Sequence, residues 1–156
     1  MPEPCLLPTV IAHSAALAHS FAHRLGRPLL PAATGLDAAA YAARLYHAPV
    51  VLLAHTAATD PVFCYANRAA QTLFGYGWEE FTTLPSRLSA APTSRQERET
   101  LLMRAKENGF IDNYAGVRIA KDGRRFRIEN VILWNVIDTA GADLGQAAIF
   151  DRWTAL

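Results

Sequence analysis

His19 and His23 lie four residues apart in a stretch of helical periodicity, so their imidazoles share one helix side and could hold a metal. That side is opposite Leu17 and Phe21, and two ligands do not complete a site. A solvated or partner-facing surface is the simpler account, and no metal site is assigned. All five histidines (His13, His19, His23, His47, His55) precede residue 56. The chain has no Gly-rich phosphate loop, no G-x-S-x-G turn and no His–carboxylate pair with motif support. General acid–base work most often uses His, so the chain reads as a non-enzyme with no catalytic residues. Cys5 and Cys64 have neither zinc spacing nor a disulfide framework and read as free thiols of a reducing cytoplasm.

Other residues suit binding rather than reaction. Tyr65, Trp78, Tyr114 and Trp134 are large rings with polar tips, suited either to core packing or to lining a pocket. Arg87, beside Ser86, could clamp a carboxylate or phosphate, or could serve as a structural ion pair. Asn130, Asn135 and Gln146 are amides on expected strands and need hydrogen-bond partners, with the sheet edge as the ordinary source. Arg124, Arg125 and Arg127 form a basic cluster that protects a hairpin edge.

These residues need a scaffold. Residues 9–25 read as a helix with Val10, Leu17, Phe21 and Leu25 on one side, ended by Gly26-Arg27-Pro28. Asp37 caps a second, shorter helix carrying Tyr41 and Leu45, and Pro49 stops it. Residues 50–54 and 62–65 read as strands. Asn67 opens a helix that Gly75 closes, and residues 78–81 add a helical turn. After a loop at 84–92, Ser94 and Glu97 form a capping box for a helix to about Glu107. Strands follow at 110–120 and 124–138, joined by Asp122-Gly123, and a last strand covers 144–153. Two strands, helices and three strands make an α+β pattern on one five-stranded antiparallel sheet.

The 156 residues are 51% hydrophobic and 19% charged, enough for a packed core and unlike a disordered tail. A net charge of +1 speaks against general nucleic-acid binding. No apolar run approaches the ~20 residues of a membrane span, and the start, Met1-Pro2-Glu3-Pro4, is a poor signal peptide.

The stretch YANRAAQTLFGYGWEEF (65–81) resembles the opening of a PAS domain, and KDGR (121–124) sits at the PAS Asp-Gly hairpin. LPSRLSA (84–90), RQERETLL (95–102), GFIDNYAGVRIAKDGRRFRIEN (109–130), LWNVID (133–138) and GQAAIFDRW (145–153) are similar to the MEKHLA family. That family is a PAS-related domain of small bacterial proteins and of plant class III homeodomain–leucine zipper proteins. The resemblance covers about residues 10–153. It implies a PAS-like domain at 49–156 with helices on one sheet face, behind an N-terminal helical extension at 1–48.

The function implied is that of a stand-alone cytoplasmic sensory domain that takes a small molecule into an internal pocket, or a protein partner. The rivals are an interaction module with a filled core and, further off, a small enzyme. The ligand is not named by the resemblance. Covalent flavin is disfavoured because neither Cys5 nor Cys64 stands in the helix that would need it. His-ligated haem is disfavoured because the helix at 95–107 has no His. The pocket candidates are Phe63, Tyr65, Leu73, Trp78, Arg87, Leu102, Tyr114 and Ile128. Alignment to the family sets the strand phase, with Phe63 and Tyr65 inward and Cys64 on the opposite face. A homodimer is expected through helix 9–25 and the open sheet face, whose apolar patch would include Val117, Ile119, Val131, Leu133 and Ile137.

Overall fold

A computed structural model gives the fold and describes residues 3–31, 33–90 and 95–156. A 3-10 turn at Pro4–Leu6 leads into helices α1 (Pro8–Leu25) and α2 (Ala38–Tyr46). Strands β1 (Val51–His55) and β2 (Phe63–Ala66) come next, then helices α3 (Arg68–Phe74) and α4 (Trp78–Phe81). A 3-10 turn at Ser86–Ser89 and helix α5 (Arg95–Asn108) precede strands β3 (Phe110–Ile119), β4 (Arg125–Ile137), β5 (Asp143–Phe150) and β6 (Arg152–Ala155). Ser94, half of the expected capping box, lies outside the described residues.

All strand pairs are antiparallel, in the spatial order β2-β1-β5-β4-β3, with β6 also on β4. The α+β sheet is as expected, but its last strand is divided. β5 pairs β4 as far as Ile132↔Ile149, and β6 resumes in the same register at Glu129↔Arg152. Asp151, at the break, faces Asn130, an extra residue in β4 with φ of 54°. Asn113 in β3 has φ of 53° and makes a similar irregularity. Asn is among the few non-glycine residues that enter the left-handed region readily.

Each bulge inverts the side-chain alternation beyond it. Ile128 and Val131, three residues apart, therefore face the same side, and Leu133 joins them in a core with Phe63, Phe74, Phe81 and Phe150 beneath α3–α5. The expected open-face patch is thus corrected: Val131 and Leu133 lie under the helices, while Trp134 and Val136 take the other face.

That other face is covered by its own chain. Val10, Leu17 and Phe21 of α1 are buried against Leu52, Ala54, Trp134 and Val136. Trp134 Nε1 donates to Ser20 Oγ at 3.0 Å, and Phe21 meets the indole edge-on at 4.9 Å. Ser20 in turn donates to the Ala16 carbonyl at 2.7 Å. The centre of the face expected to carry a homodimer through helix 9–25 is thus covered within one chain, as a sheet apolar on both faces requires, while Val117, Ile119 and Ile137 are half-buried and belong to neither core.

Asn67 fastens the two halves. Fully buried, its Oδ1 accepts from the amides of Leu52 and Ala70, and its Nδ2 donates to the carbonyls of Val50 and Leu45. One side chain therefore caps α3, holds β1 and ties in the end of α2. Asn67→Ala removes a helix cap, worth about 1 kcal/mol, and strands buried backbone groups at about 1–3 kcal/mol each. Urea unfolding should show a loss of roughly 3–5 kcal/mol; a loss below about 1 kcal/mol would reduce Asn67 to an ordinary cap.

Candidate functional site

Between α5 and the sheet lies a cavity of about 30 Å³. Its apolar wall includes Leu53, Phe63, Val131, Leu133, Ala148 and Phe150, and its polar groups are His55, Ser89, Arg98, Tyr114, Arg118 and Gln146. Beside it runs an open groove of about 400 Å³ that shares His55, Arg98, Leu102 and Gln146 and adds Asp60, Arg87, Lys106, Asn135 and Asp143.

Strand alternation places His55 two residues beyond Leu53 on the cavity face of β1. Its Nδ1 lies 3.0 Å from the Thr56 carbonyl and must be the protonated nitrogen. Its Nε2 is left as a buried acceptor with no partner among the described residues. β5 passes close by: a Cβ on Gly145, whose φ is 110°, would collide with the His55 carbonyl oxygen.

Arg98 and Ala105 are the buried residues of the otherwise polar α5. Arg98 Nη2 donates to Ser86 Oγ at 2.7 Å, and the Ser86 amide is fixed on the Pro61 carbonyl at 2.8 Å. Arg118, on β3, donates from Nη1 to the Val117 carbonyl at 3.0 Å and from Nη2 to the Tyr114 hydroxyl at 2.9 Å. Gly116 makes room for that pair, since a Cβ there would collide with the Tyr114 hydroxyl. Gln146 Nε2 donates to the Leu102 carbonyl at 2.8 Å and to Asn135 Oδ1 at 3.1 Å, and Asn135 Nδ2 reaches the Lys106 carbonyl at 3.0 Å. These two strand amides are satisfied by α5 rather than at a sheet edge, and they hold it on the sheet. Asn130 is exposed at its bulge.

Charges of both signs act here: Arg118 and, more weakly, Glu99 act on Arg98, and Asp143 acts on His55. Arg98 and Arg118 are 6% and 8% exposed. Among the described residues, every ion pair involves other side chains. Burial, and then the Arg118 charge, push the Arg98 guanidinium down to about 10, still charged at neutral pH.

Of the pocket residues expected from sequence, Phe63, Leu102, Tyr114 and Ile128 line this cavity. Leu73 packs on the same core without reaching the wall. Tyr65 and Trp78 require a correction: they pack on the α1 side, edge-on at 5.7 Å. The cause is a bulge at Cys64. Ala54 pairs with Tyr65 and His55 with Phe63, so Cys64 is the extra residue and the phase inverts across it. Arg87 also stays outside; its exposed side chain contacts Asp60 at 3.2 Å on the groove rim. The arginine that enters is Arg98. His55, Arg98 and Arg118 were not singled out from sequence, although Tyr114 and Arg118 share a strand parity and Arg98 lies one helical turn before Leu102.

His19 and His23 stack on the surface with ring centroids 6.4 Å apart. Elsewhere the ligand atoms of Glu3, Cys5 and His47 lie within 4.8 Å of one another, and a Glu3–His47 contact of 3.2 Å occupies two of them. No helix among the described residues is long and apolar enough to cross a membrane.

A sheet of this strand order, with helices over a small interior cavity, defines a domain of the PAS/light-oxygen-voltage fold. A PAS domain from Colwellia psychrerythraea is similar with a TM-score of 0.61 and 17% identity, over 74% of this chain and 92% of that one. A light-oxygen-voltage domain studied with a flavin analogue gives 0.59 and 17%, over 75% and 84%. An RNA-binding light-oxygen-voltage receptor gives 0.62 and 21%, over 80% of this chain but 34% of the receptor. A family model for the MEKHLA domain matches residues 11–155, and the chain belongs to that family. No curated protein matches the sequence.

His55 makes the site acid-sensitive. Burial holds its pKa at about 4, whereas the unfolded side chain titrates near ~6.5. Below ~6.5 the unfolded state binds a proton that the folded state refuses until about pH 4, so this contribution is intact above pH 6.5 and is lost as pH falls through that window. His55→Gln should flatten the stability–pH curve between those limits by about 3 kcal/mol. Denaturant melts at several pH values check this; parallel curves for wild type and variant would contradict it.

Proposed function

We propose that the chain is a sensory domain that takes a small molecule into the cavity beneath α5. The observation that carries this reading is an interior space, apolar on most sides, with a few fixed polar groups and an adjoining open groove. Ligand sites have that composition, whereas a module filled for protein contact alone has no use for charged groups inside. The cavity by itself has room for about one water molecule, so a bound ligand would also occupy the adjoining groove of about 400 Å³.

The response would pass through α5. Few of its residues are buried, and its ties to the sheet run through Gln146 and Asn135, which border the site. A ligand that re-bonds Gln146 shifts α5, and a partner reads its polar outer side. No catalytic residues are assigned. RNA binding belongs to a receptor of which this chain spans about a third, and a net charge of +1 offers little to a phosphate backbone. The free thiols suit a cytoplasmic setting. For a homodimer, the surfaces left are the outer side of α1 and the exposed strand β6 with Trp153.

Native mass spectrometry on protein purified from its host should reveal a bound small molecule, released on denaturation. A chain that always runs at its bare mass would favour the interaction module with no ligand.

A further inference from the structure

Outside the cavity and its groove, the fold brings Glu3, Cys5 and His47 together across a sequence separation of 44 residues. Their ligand atoms all lie within 4.8 Å of one another. Hydrogen-bonded backbone holds each of them. Glu3 precedes the 3-10 turn Pro4–Leu6, where the Leu6 and Leu7 amides donate to the Glu3 and Pro4 carbonyls at 3.0 Å. His47 follows α2, and its amide donates to the Ala43 carbonyl at 3.1 Å. Cys5 is 1% exposed, whereas the side chains of Glu3 and His47 are about half exposed. The thiol is therefore shielded, and the other two groups leave a path from solvent. His47 Nε2 lies 3.2 Å from Glu3 Oε1. A tetrahedral zinc ion, with bonds of about 2.0–2.2 Å to nitrogen and oxygen, sets two such ligand atoms roughly 3.3 Å apart. An exposed Glu–His pair alone contributes little and does not call for a thiol beside it.

We propose that Glu3, Cys5 and His47 form a zinc site that pins the N-terminal turn to the end of α2. A thiolate, an imidazole and a carboxylate suit Zn²⁺, whereas Mg²⁺ and Ca²⁺ take oxygen ligands. Burial, and then the Glu3 carboxylate, raise the Cys5 thiol in the metal-free chain. Binding therefore displaces the thiol proton to solvent, and neutral His47 gives its Nε2 lone pair. The thiolate and the carboxylate then balance the two charges of the ion. Three protein ligands leave a fourth position for water. The site joins a network already described. The Leu45 carbonyl, two residues before His47, accepts from Asn67, so the ion would tie the N-terminal turn to the joint that holds β1 and α3. The inference is independent of the small-molecule reading, since none of these three residues lines the cavity or the groove.

The test is calorimetric titration of the untagged full chain, stripped with a chelator, with Zn²⁺ and with Mg²⁺. Zn²⁺ should bind one to one without competition from Mg²⁺, and saturating zinc should raise the melting temperature by a few degrees. Cys5→Ser, His47→Gln and Glu3→Gln should each weaken zinc at least about tenfold, since loss of even an outer partner of a metal ligand costs about 10–100-fold. Co²⁺ should produce a thiolate-to-cobalt charge-transfer band that survives substitution of the other thiol, Cys64→Ser, and vanishes in Cys5→Ser. His23→Gln, which breaks up the stacked histidines of α1, should bind zinc like wild type. Should Cys5→Ser unfold, His47→Gln, at a half-exposed position, still decides. Absence of zinc binding, Cys5 and His47 variants that hold zinc as tightly as wild type, a cobalt band lost with Cys64→Ser, or zinc lost with His23→Gln would each overturn the proposal. If zinc binds while native mass spectrometry finds no small molecule, the site stands and the small-molecule reading fails.

Discussion

The side chain of Asn67 is the joint on which the fold turns. Its amide meets two donors and two acceptors from three elements, with no access to water. A buried amide this fully satisfied fixes orientation as well as position, because any rotation breaks several bonds at once. It sets where α3 leaves the sheet, and so where α4 and the following loop lie over it. It also binds the end of α2, and through α2 the helix α1, to the first strand. The N-terminal helices therefore pack as part of the sheet structure.

The two sheet faces are finished differently. Beneath α1 the side chains fill the space, with Trp134 and Phe21 at the centre and the indole N–H spent on Ser20. Beneath α5 the filling is incomplete. The cover helix brings a guanidinium where a core helix would bring a leucine, and the opposing strands answer with another guanidinium, an imidazole and an amide. Such groups hold one another apart and need hydrogen-bond partners, so the space among them stays open. The cavity is a consequence of polar residues placed on inward positions, and its charge follows from the same choice.

The bulges connect this arrangement to the backbone. Asn130 inverts β4 and Cys64 inverts β2, so that consecutive parts of one strand face different cores. The site depends on them. Without the bulge at Cys64, Phe63 and Tyr65 would share a face, and without the one at Asn130, Ile128 and Val131 would not.

The local elements were legible in the residues themselves: the Asn67 and Asp37 caps, the Gly75 stop, the Asp122-Gly123 hairpin and the apolar stripe of α1 all act over a few residues, where backbone geometry and periodicity decide. The motifs of residues 65–81 and 109–153 carried the family and with it the sheet. Four of the eight pocket candidates, Phe63, Leu102, Tyr114 and Ile128, line the cavity, the strand phase having come from the family resemblance. The remainder was decided only in three dimensions. A bulge adds one residue and leaves no periodic trace in a short strand, so the face of Tyr65 could not be read from alternation. Arg87 and Arg98 are equally cationic in sequence; which one turns inward depends on Asp60 being within reach of the first and Ser86 of the second. Whether α1 closes its own sheet or another's is likewise a matter of chain reach and the seat that Trp134 and Ser20 provide, which no local pattern encodes.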